Sequence, residues 1–283
     1  MAVTNFVPDI WSARILANLS KTSVGAGICN RDYEGDASVS DSVKITSITD
    51  PTITAYTGAD MTPEDIDDAT QSLLLDQKQS FNFYLDDVER AQAVSGGAIM
   101  QAAIDRASYG LANVLDAYVL NALAAGASAA GPDHLVAEAT VNTAAGAYDS
   151  LVAWNILLDE ANVPEENRFA VITPALYGYL LKDARFVGDG SAIGATTRQN
   201  GKVGMAAGLE IFKSNNLPAG PGAGAGTAML VGSRYACTLA EQVRSVEAYR
   251  VEKKFADGVK GLHVYGAKVT RATALVVADV IVS

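Results

Sequence analysis

The feature that most constrains this chain is a pair of stretches in which apolar and polar residues alternate. Residues 39–57 alternate around Val43 and Ile45, and residues 73–85 alternate around Leu73. A period of two is typical of a β-strand with one buried face. The two stretches together predict a long β-hairpin.

The segment between the predicted strands, residues 58–68, is acidic. An isolated two-stranded ribbon is only marginally stable in water, so the hairpin needs a partner surface. The residues leave open whether that surface belongs to the hairpin's own domain or to another copy of the chain. The acidic side chains of the tip are Asp60, Glu64, Asp65, Asp67 and Asp68.

The N-terminal 35 residues predict an arm. Asp9 is a candidate N-cap for a short amphipathic helix over 9–21, and Gly25 and Gly27 are expected to loosen the chain after it. Residues 30–35 predict an extended or turning segment. Such an arm cannot form a core alone and must lie against something else.

Residues 97–126 predict the longest helix, because alanine is abundant there and proline is absent. We expect Gly126 to end it and Gly110 to mark close packing of another segment. The predicted apolar stripe consists of Ile99, Ala103, Ala107, Leu111, Val114, Tyr118 and Ala122.

The remaining sequence alternates between helix and strand patterns. Residues 126–146 predict a linker, and Thr173 followed by Pro174 predicts an N-capped helix. The fold class that follows is mixed α+β. The other predicted elements are a helix at 147–162, strands at 168–172, 208–213 and 228–232, and a strand-rich region at 245–282.

Residue patterns typical of catalysis or metal binding are missing from the sequence. The chain has two histidines, His134 and His263, and neither lies in a metal-ligand motif. The glycine-rich run from Gly220 precedes a predicted strand, whereas a dinucleotide fingerprint precedes a helix. Cys29 and Cys237 follow no metal or redox spacing; synthesis in a reducing cytosol favours free thiols, and a disulfide between them is the less favoured alternative. The sequence therefore predicts no catalytic residue, no metal and no cofactor.

The net charge is −11, from 32 acidic and 21 basic residues. A protein that binds nucleic acid needs a clustered basic surface, so this negative net charge argues against a DNA-binding protein that recognises sequence. It does not exclude a protein that encloses DNA without binding it. Since no uninterrupted apolar run of the roughly 20 residues of a membrane span is expected, we expect no membrane partner.

A basic segment near the C-terminus complements the acidic tip. We predict that the two segments meet between copies of the chain, where ion pairs would set orientation more than affinity. The alternatives are a tip that is simply solvated, a divalent-cation site in the tip, and an unrecognised carboxylate enzyme that uses Asp65, Asp67 and Asp68. The basic residues of the predicted contact are Arg250, Lys253, Lys254 and Lys260.

Three stretches resemble the major capsid proteins of tailed bacteriophages, and among them the coat proteins of short-tailed, headful-packaging phages. The likeness also includes the opening residues 6–11 and spans nearly the whole chain. The stretches are 81–92 (FNFYLDDVERAQ), 201–218 (GKVG, then Gly208 and KSNNLP) and 255–268 (FADGVKGLHVYGAK).

This resemblance implies the phage major capsid protein fold. It assigns residues 1–35 to an N-terminal arm, 36–86 to an extended loop and peripheral-domain strand, and 87–143 to a peripheral domain with a long spine helix. Residues 144–243 would form the axial domain, and 244–283 the returning strands of the peripheral domain.

The implied function is a structural one. Copies would assemble through pentamers and hexamers into an icosahedral shell around a double-stranded DNA genome, in the host cytoplasm and then in the virion. A scaffolding protein, a portal and a decoration protein are the implied partners. The rival within this fold is an encapsulin-type compartment that holds protein cargo.

Overall fold

The computed structural model describes residues 24–34, 42–48, 53, 55, 68–88, 96–128, 131, 134–183, 204–222 and 224–282. It confirms a mixed α+β fold. The helix predicted at 9–21 lies outside the described residues. The helices are α1 (Val24–Ile28), α2 (Gly96–Ser128), α3 (Ala144–Glu160) and α4 (Pro174–Leu180). The strands are β1 (Ser42–Ile48), β2 (Asp68–Leu74), β3 (Gln77–Asp86), β4 (Leu135–Val141), β5 (Arg168–Ile172), β6 (Met205–Ala206), β7 (Leu209–Lys213), β8 (Thr227–Ser233), β9 (Cys237–Arg250), β10 (Ala256–Val269) and β11 (Leu275–Val282).

Helix α2 confirms the predicted long helix but turns a different face to the core. It has 33 residues and would run roughly 50 Å at 1.5 Å per residue. Val114, placed in the stripe by the sequence, is 43% exposed. The prediction erred because the buried face includes the polar residues Ser108 and Asp116, which an apolar pattern does not detect. The buried apolar residues of α2 are Ile104, Leu111, Ala112, Leu115, Val119, Leu120, Leu123 and Ala127.

Two glycines of α2 have roles other than those expected. Gly126 does not end the helix: a Cβ there would lie 2.3 Å from Val269 Cγ2, so the glycine permits close approach of β10. A Cβ at Gly110 would meet no atom within 4 Å among the described residues, so the expected close packing is not found.

The span Ala102–Ala127 of this helix is long and apolar enough to cross a membrane, contrary to the sequence expectation. Length and composition are the only grounds for that comparison. Leu115, Val119 and Leu123 are almost completely buried against other elements of the protein. The helix therefore has the packing of a core helix.

The largest sheet has six strands in the order β4-β11-β8-β5-β7-β6. Strand β5 is buried at every position, and α4 follows it with Thr173 as N-cap and Pro174 in the first turn, as predicted. The predicted linker at 126–146 is wrong: it contains the end of α2 and strand β4, which pairs in parallel with β11. That partner is about 140 residues away in sequence, so local composition did not reveal the pairing.

The low-complexity run before β8 folds around one buried carboxylate. Asp279 of β11 is 1% exposed and accepts a hydrogen bond from the Gly222 N–H at 2.7 Å. A Cβ at Gly220 or Gly226 would lie 1.8 Å from Asp279 Oδ1. These glycines are thus explained by packing, and the run precedes a strand as expected.

The described part of the predicted hairpin differs from the expectation because β3 does not belong to it. Strands β1 and β2 form a two-stranded antiparallel sheet in which Ser42 opposes Leu74 and Ile48 opposes Asp68. The alternation around Phe83 belongs to β3, which pairs with β10 in a separate sheet of order β3-β10-β9. The prediction treated β2 and β3 as one strand because both alternate with a period of two. The chain changes from one sheet to the other in the two residues between them.

The base of the hairpin packs on its own chain. We call Val43, Ile45, Leu73 and Leu75 the hairpin base; these side chains are buried in one cluster with Ala240 and Val264. Lys268 Nζ donates to the Ser72 carbonyl at 3.0 Å, and Gln71 Nε2 donates to the Thr270 carbonyl at 3.3 Å. Strand β10 therefore provides much of the partner surface that the ribbon requires at this end.

The contact between hairpin and β10 depends on a glycine. A Cβ at Gly266 would lie 2.0 Å from the Leu74 carbonyl oxygen, a backbone atom that cannot rotate away. We expect G266A to lower the free energy of unfolding by about 1–3 kcal/mol, the usual cost of overpacking. Urea unfolding and protease cleavage of the hairpin measure this.

Gly110 supplies the matched control. An added Cβ at Gly110 meets open space, and alanine is favoured over glycine by about 1 kcal/mol inside a helix. G110A should therefore be as stable as the wild type or more stable. If G266A unfolded at the same urea concentration as G110A, the close approach at Gly266 would not be important for stability.

Candidate intersubunit surface

The described part of the predicted arm, residues 24–34, is held against the body of the protein. Residues Val24–Ile28 form α1, although two glycines were expected to loosen this stretch. Ile28 is completely buried, and a Cβ at Gly25 would lie 3.0 Å from Val119 of α2. The glycine therefore allows close packing on α2.

A buried carboxylate connects this segment to two other parts of the chain. Asp116 of α2 is 4% exposed and accepts a hydrogen bond from the Gly25 N–H at 2.7 Å. It also accepts hydrogen bonds from Ser214 Oγ at 3.2 Å and from Asn216 Nδ2 at 2.9 Å. These three donors satisfy a carboxylate whose burial would otherwise be costly.

The next residues pair with β9. The Asn30 N–H donates to the Cys237 carbonyl at 2.8 Å, and the Leu239 N–H donates to the Asn30 carbonyl at 2.9 Å. Arg31 forms ion pairs with Glu34 and with Glu241, whose side chain is 8% exposed. Residues 30–34 of the expected extended or turning segment thus form a short strand contact with β9 at Asn30, followed by a turn.

The ion pair of Arg31 lies beside a buried histidine. His263 Nε2 is 3.4 Å from Glu241 Oε2, and the ring centroids of His263 and Tyr265 are 5.0 Å apart. Burial is the larger cause, and the positive charge of Arg31 the smaller one, that together lower the pKa of His263 from 6.5 to about 4. Glu241 does not reverse this effect because it is already paired with Arg31. His263 is therefore neutral at neutral pH.

Most acidic residues of the predicted contact lie outside the part of the chain that the structure describes. Asp60, Glu64, Asp65 and Asp67 lie outside the described residues, and Asp68 is described only as the first residue of β2. The alternative cation site and carboxylate enzyme in this tip are likewise outside the described part. Within the described residues, no group of three or more His, Cys, Asp or Glu side chains is arranged to hold a metal.

The basic half is described completely, and most of it is paired within the chain. Arg250 forms ion pairs with Asp87 and with Asp257, and Lys260 pairs with Glu247 at 2.8 Å. Hydrogen bonds to these carboxylates raise the pKa of both Arg250 and Lys260.

The other two lysines are close to Arg250 but differ in their contacts. Lys254 Nζ donates to the Tyr84 hydroxyl at 2.7 Å and lies 4.6 Å from the centroid of that ring. Lys253 is exposed and has no ionic partner among the described residues. It is thus the best placed of the four to contact another chain.

An exposed apolar group accompanies these charges, and the sequence reasoning missed it. Phe255 is 80% exposed, Val88 59% and Tyr84 51%. The backbone brings them together, because the Asp87 N–H donates to the Phe255 carbonyl at 2.9 Å. Exposed aromatic and apolar side chains rimmed by charge are typical of protein interfaces. We name Tyr84, Val88, Lys253, Lys254 and Phe255 the turn surface.

The His263 pKa predicts how stability depends on pH. The unfolded chain binds a proton at His263 below pH 6.5, whereas the folded chain does so only below about pH 4. The free energy of unfolding therefore has its full value, as far as His263 is concerned, above pH 6.5. It decreases by about 3 kcal/mol as the pH falls from 6.5 to 4, because the unfolded chain binds the proton first. Urea unfolding at pH 7 and pH 4.5 measures the loss.

Replacing the histidine isolates its effect from the carboxylates that titrate in the same range. H263Q should have a smaller loss of stability between pH 7 and pH 4.5 than the wild type. H134Q, which changes the other histidine, is the matched control and should retain the loss due to His263. Equal pH dependence in H263Q and the wild type would contradict a buried neutral His263.

Comparison with known proteins places this geometry among phage capsids. The phage capsid protein family model matches residues 69–278. A structure from Mycobacterium phage Che8 is 28% identical with a TM-score of 0.72, and 91% of each chain is covered. No match was found among curated protein sequences.

More distant structures share the fold. The capsid structure of cyanophage P-SCSP1u is 20% identical, with a TM-score of 0.66 over 87% of this chain and 85% of that one. The mature capsid of bacteriophage PhiM1 is 16% identical, with a TM-score of 0.65 over 92% and 87%. The matches thus favour a phage capsid over the encapsulin-type alternative. The chain belongs to the phage capsid protein family and is a structural major capsid protein with the phage major capsid protein fold.

Proposed function

We propose that copies of this chain assemble through pentamers and hexamers into an icosahedral shell that encloses double-stranded DNA. The observation that carries the proposal is the hairpin. Among the described residues, β1 and β2 pair with each other and with no other strand, and the apolar Ile53 beyond β1 is 95% exposed. A ribbon of this kind is stabilised by burial against a partner. A neighbouring copy provides that partner.

The domain division implied by the family resemblance is part of this proposal. It comprises the arm (1–35), the extended loop (36–86), the peripheral domain (87–143 with 244–283) and the axial domain (144–243). The six-stranded sheet is shared across that division, because β4 and β11 pair with each other and β11 pairs with β8. The two domains would therefore move as one unit.

The contact between copies is proposed to bring the acidic tip, with Asp60, Glu64, Asp65, Asp67 and Asp68, against the basic turn surface. Of the basic residues, Lys253 makes the intersubunit ion pair. Arg250 and Lys260 form ion pairs within their own chain, and these pairs hold the strands next to the turn surface together. Phe255 and Val88 provide apolar area that such a contact would bury.

The other partners follow from the shell. A scaffolding protein, a portal and a decoration protein act on it during assembly in the host cytoplasm. The net charge of −11 supports enclosure of DNA without sequence-specific binding, since the wall does not attract phosphates. We propose no catalytic activity for the chain.

Electron microscopy of the purified protein, alone and co-expressed with its scaffold, tests the proposal. Rings or closed shells are expected in at least one of these preparations. A monomer of 29.4 kDa in both, by light scattering and microscopy, would contradict it.

The same assay tests the proposed contact. K253E should reduce shell yield, because a carboxylate would then face the acidic tip of the neighbour. K260E is the control, since Lys260 is already paired with Glu247 in its own chain, and its main effect should be on subunit stability. A normal yield of equally stable shells from K253E would exclude this lysine from the interface.

A further inference from the structure

The only two cysteines of the chain lie together in the fold although 208 positions separate them. Cys29 Sγ is 3.0 Å from Cys237 Sγ, and both side chains are buried, at 6% and 0% exposed. Both are free thiols in this structure. A disulfide requires sulfurs about 2.05 Å apart, so a movement of about 1 Å would bond them.

The backbone on either side has the spacing that a disulfide needs. Asn30 and Thr238 form a parallel β-bridge, held by the two hydrogen bonds of Asn30 to β9. In parallel register this places Cys29 directly beside Cys237. Neighbouring strands lie about 4.8 Å apart, which falls within the range of about 4.4–6.8 Å between the Cα atoms of bonded cysteines.

We propose that Cys29 and Cys237 are a redox site whose oxidation to a disulfide joins the N-terminal segment covalently to β9. The oxidant is a small-molecule disulfide. One cysteine thiolate attacks it and forms a mixed disulfide, releasing one small thiol. The second cysteine thiolate attacks the protein sulfur of that intermediate and releases the second small thiol. The two protein thiols together lose two electrons, which reduce one small disulfide. Their two protons pass to the two released thiolates.

The surroundings of the pair keep the reaction slow in the folded chain. The hydrogen bond with Cys237 and then burial raise the pKa of Cys29 well above its usual value, so little thiolate is present. Oxidation therefore proceeds when residues 24–34 detach transiently from the body. A reducing cytosol leaves the thiols free, whereas the surroundings of a released virion are oxidising.

The consequence is local and reversible. The bond would fix α1 and the Arg31 ion pair, both within the predicted arm, to the body of the protein. The timing, after release of the particle, rests on the proposed function. The chemistry of the site does not.

Peptide mapping under non-reducing conditions tests the proposal. The folded protein is incubated with oxidised glutathione in mild urea, dialysed, alkylated after full denaturation and cleaved with trypsin. The expected product is a disulfide between peptides 22–31 and 235–244, with loss of alkylation at both cysteines and a chain that remains monomeric on a non-reducing gel. The readout uses denatured peptides, so it is independent of shell formation.

Stability provides the second readout. Oxidation should raise the Tm of the wild type by roughly 5–15 °C, because closing a long loop restricts the unfolded chain. The C29A/C237A variant is the control and should show no change in Tm with oxidant. Full alkylation of both cysteines after oxidation, a link between two chains, or an oxidised protein with an unchanged Tm would each overturn the proposal.

Discussion

Strand β10 is the element on which the rest of this structure depends. It pairs with β3 along one edge and with β9 along the other, and it supports the hairpin base at Val264 and Gly266. Without that support, β1 and β2 would form a ribbon with no apolar surface to cover it. The hairpin is therefore fixed at this end by ordinary core packing.

The N-terminal segment is held by a different kind of interaction. Buried polar groups are prominent in its contacts: Asp116 accepts the Gly25 N–H, and Glu241 binds Arg31 beside the neutral His263. Each such group is costly to bury unless it is satisfied, so these contacts favour one arrangement over alternatives. Residues 24–34 are thereby fixed in one position against α2 and β9.

Much of the fold could be predicted from the sequence because its patterns are local. The long helix follows from its alanine content and lack of proline, and α4 follows from Thr173 and Pro174. The buried face of α2 could not be predicted, because Asp116 is buried through partners about 100 residues away. Strand β4 was missed for the same reason, since its pairing with β11 is long-range.

The candidate contact shows a similar limit. The sequence identified Arg250 and Lys260 as basic, but not that Asp87 and Glu247 already pair with them in the same chain. The exposed Phe255 was not distinguishable from a core residue, because only the fold shows that the turn between β9 and β10 projects it outward. The sequence identifies which residues are charged, whereas only the structure shows which of them already have an ion-pair partner within the chain.

We propose that the hairpin is fixed at its base by its own chain and completed by a neighbouring copy. Hydrogen exchange at the backbone amides of β1 and β2, compared between the isolated subunit and the assembled particle, tests it most directly. The base around Val43 and Leu73 should be protected in both states, whereas Thr46–Ile48 and the start of β2 should gain protection only on assembly. Equal protection along the whole hairpin in the isolated subunit, or no gain on assembly, would contradict the claim.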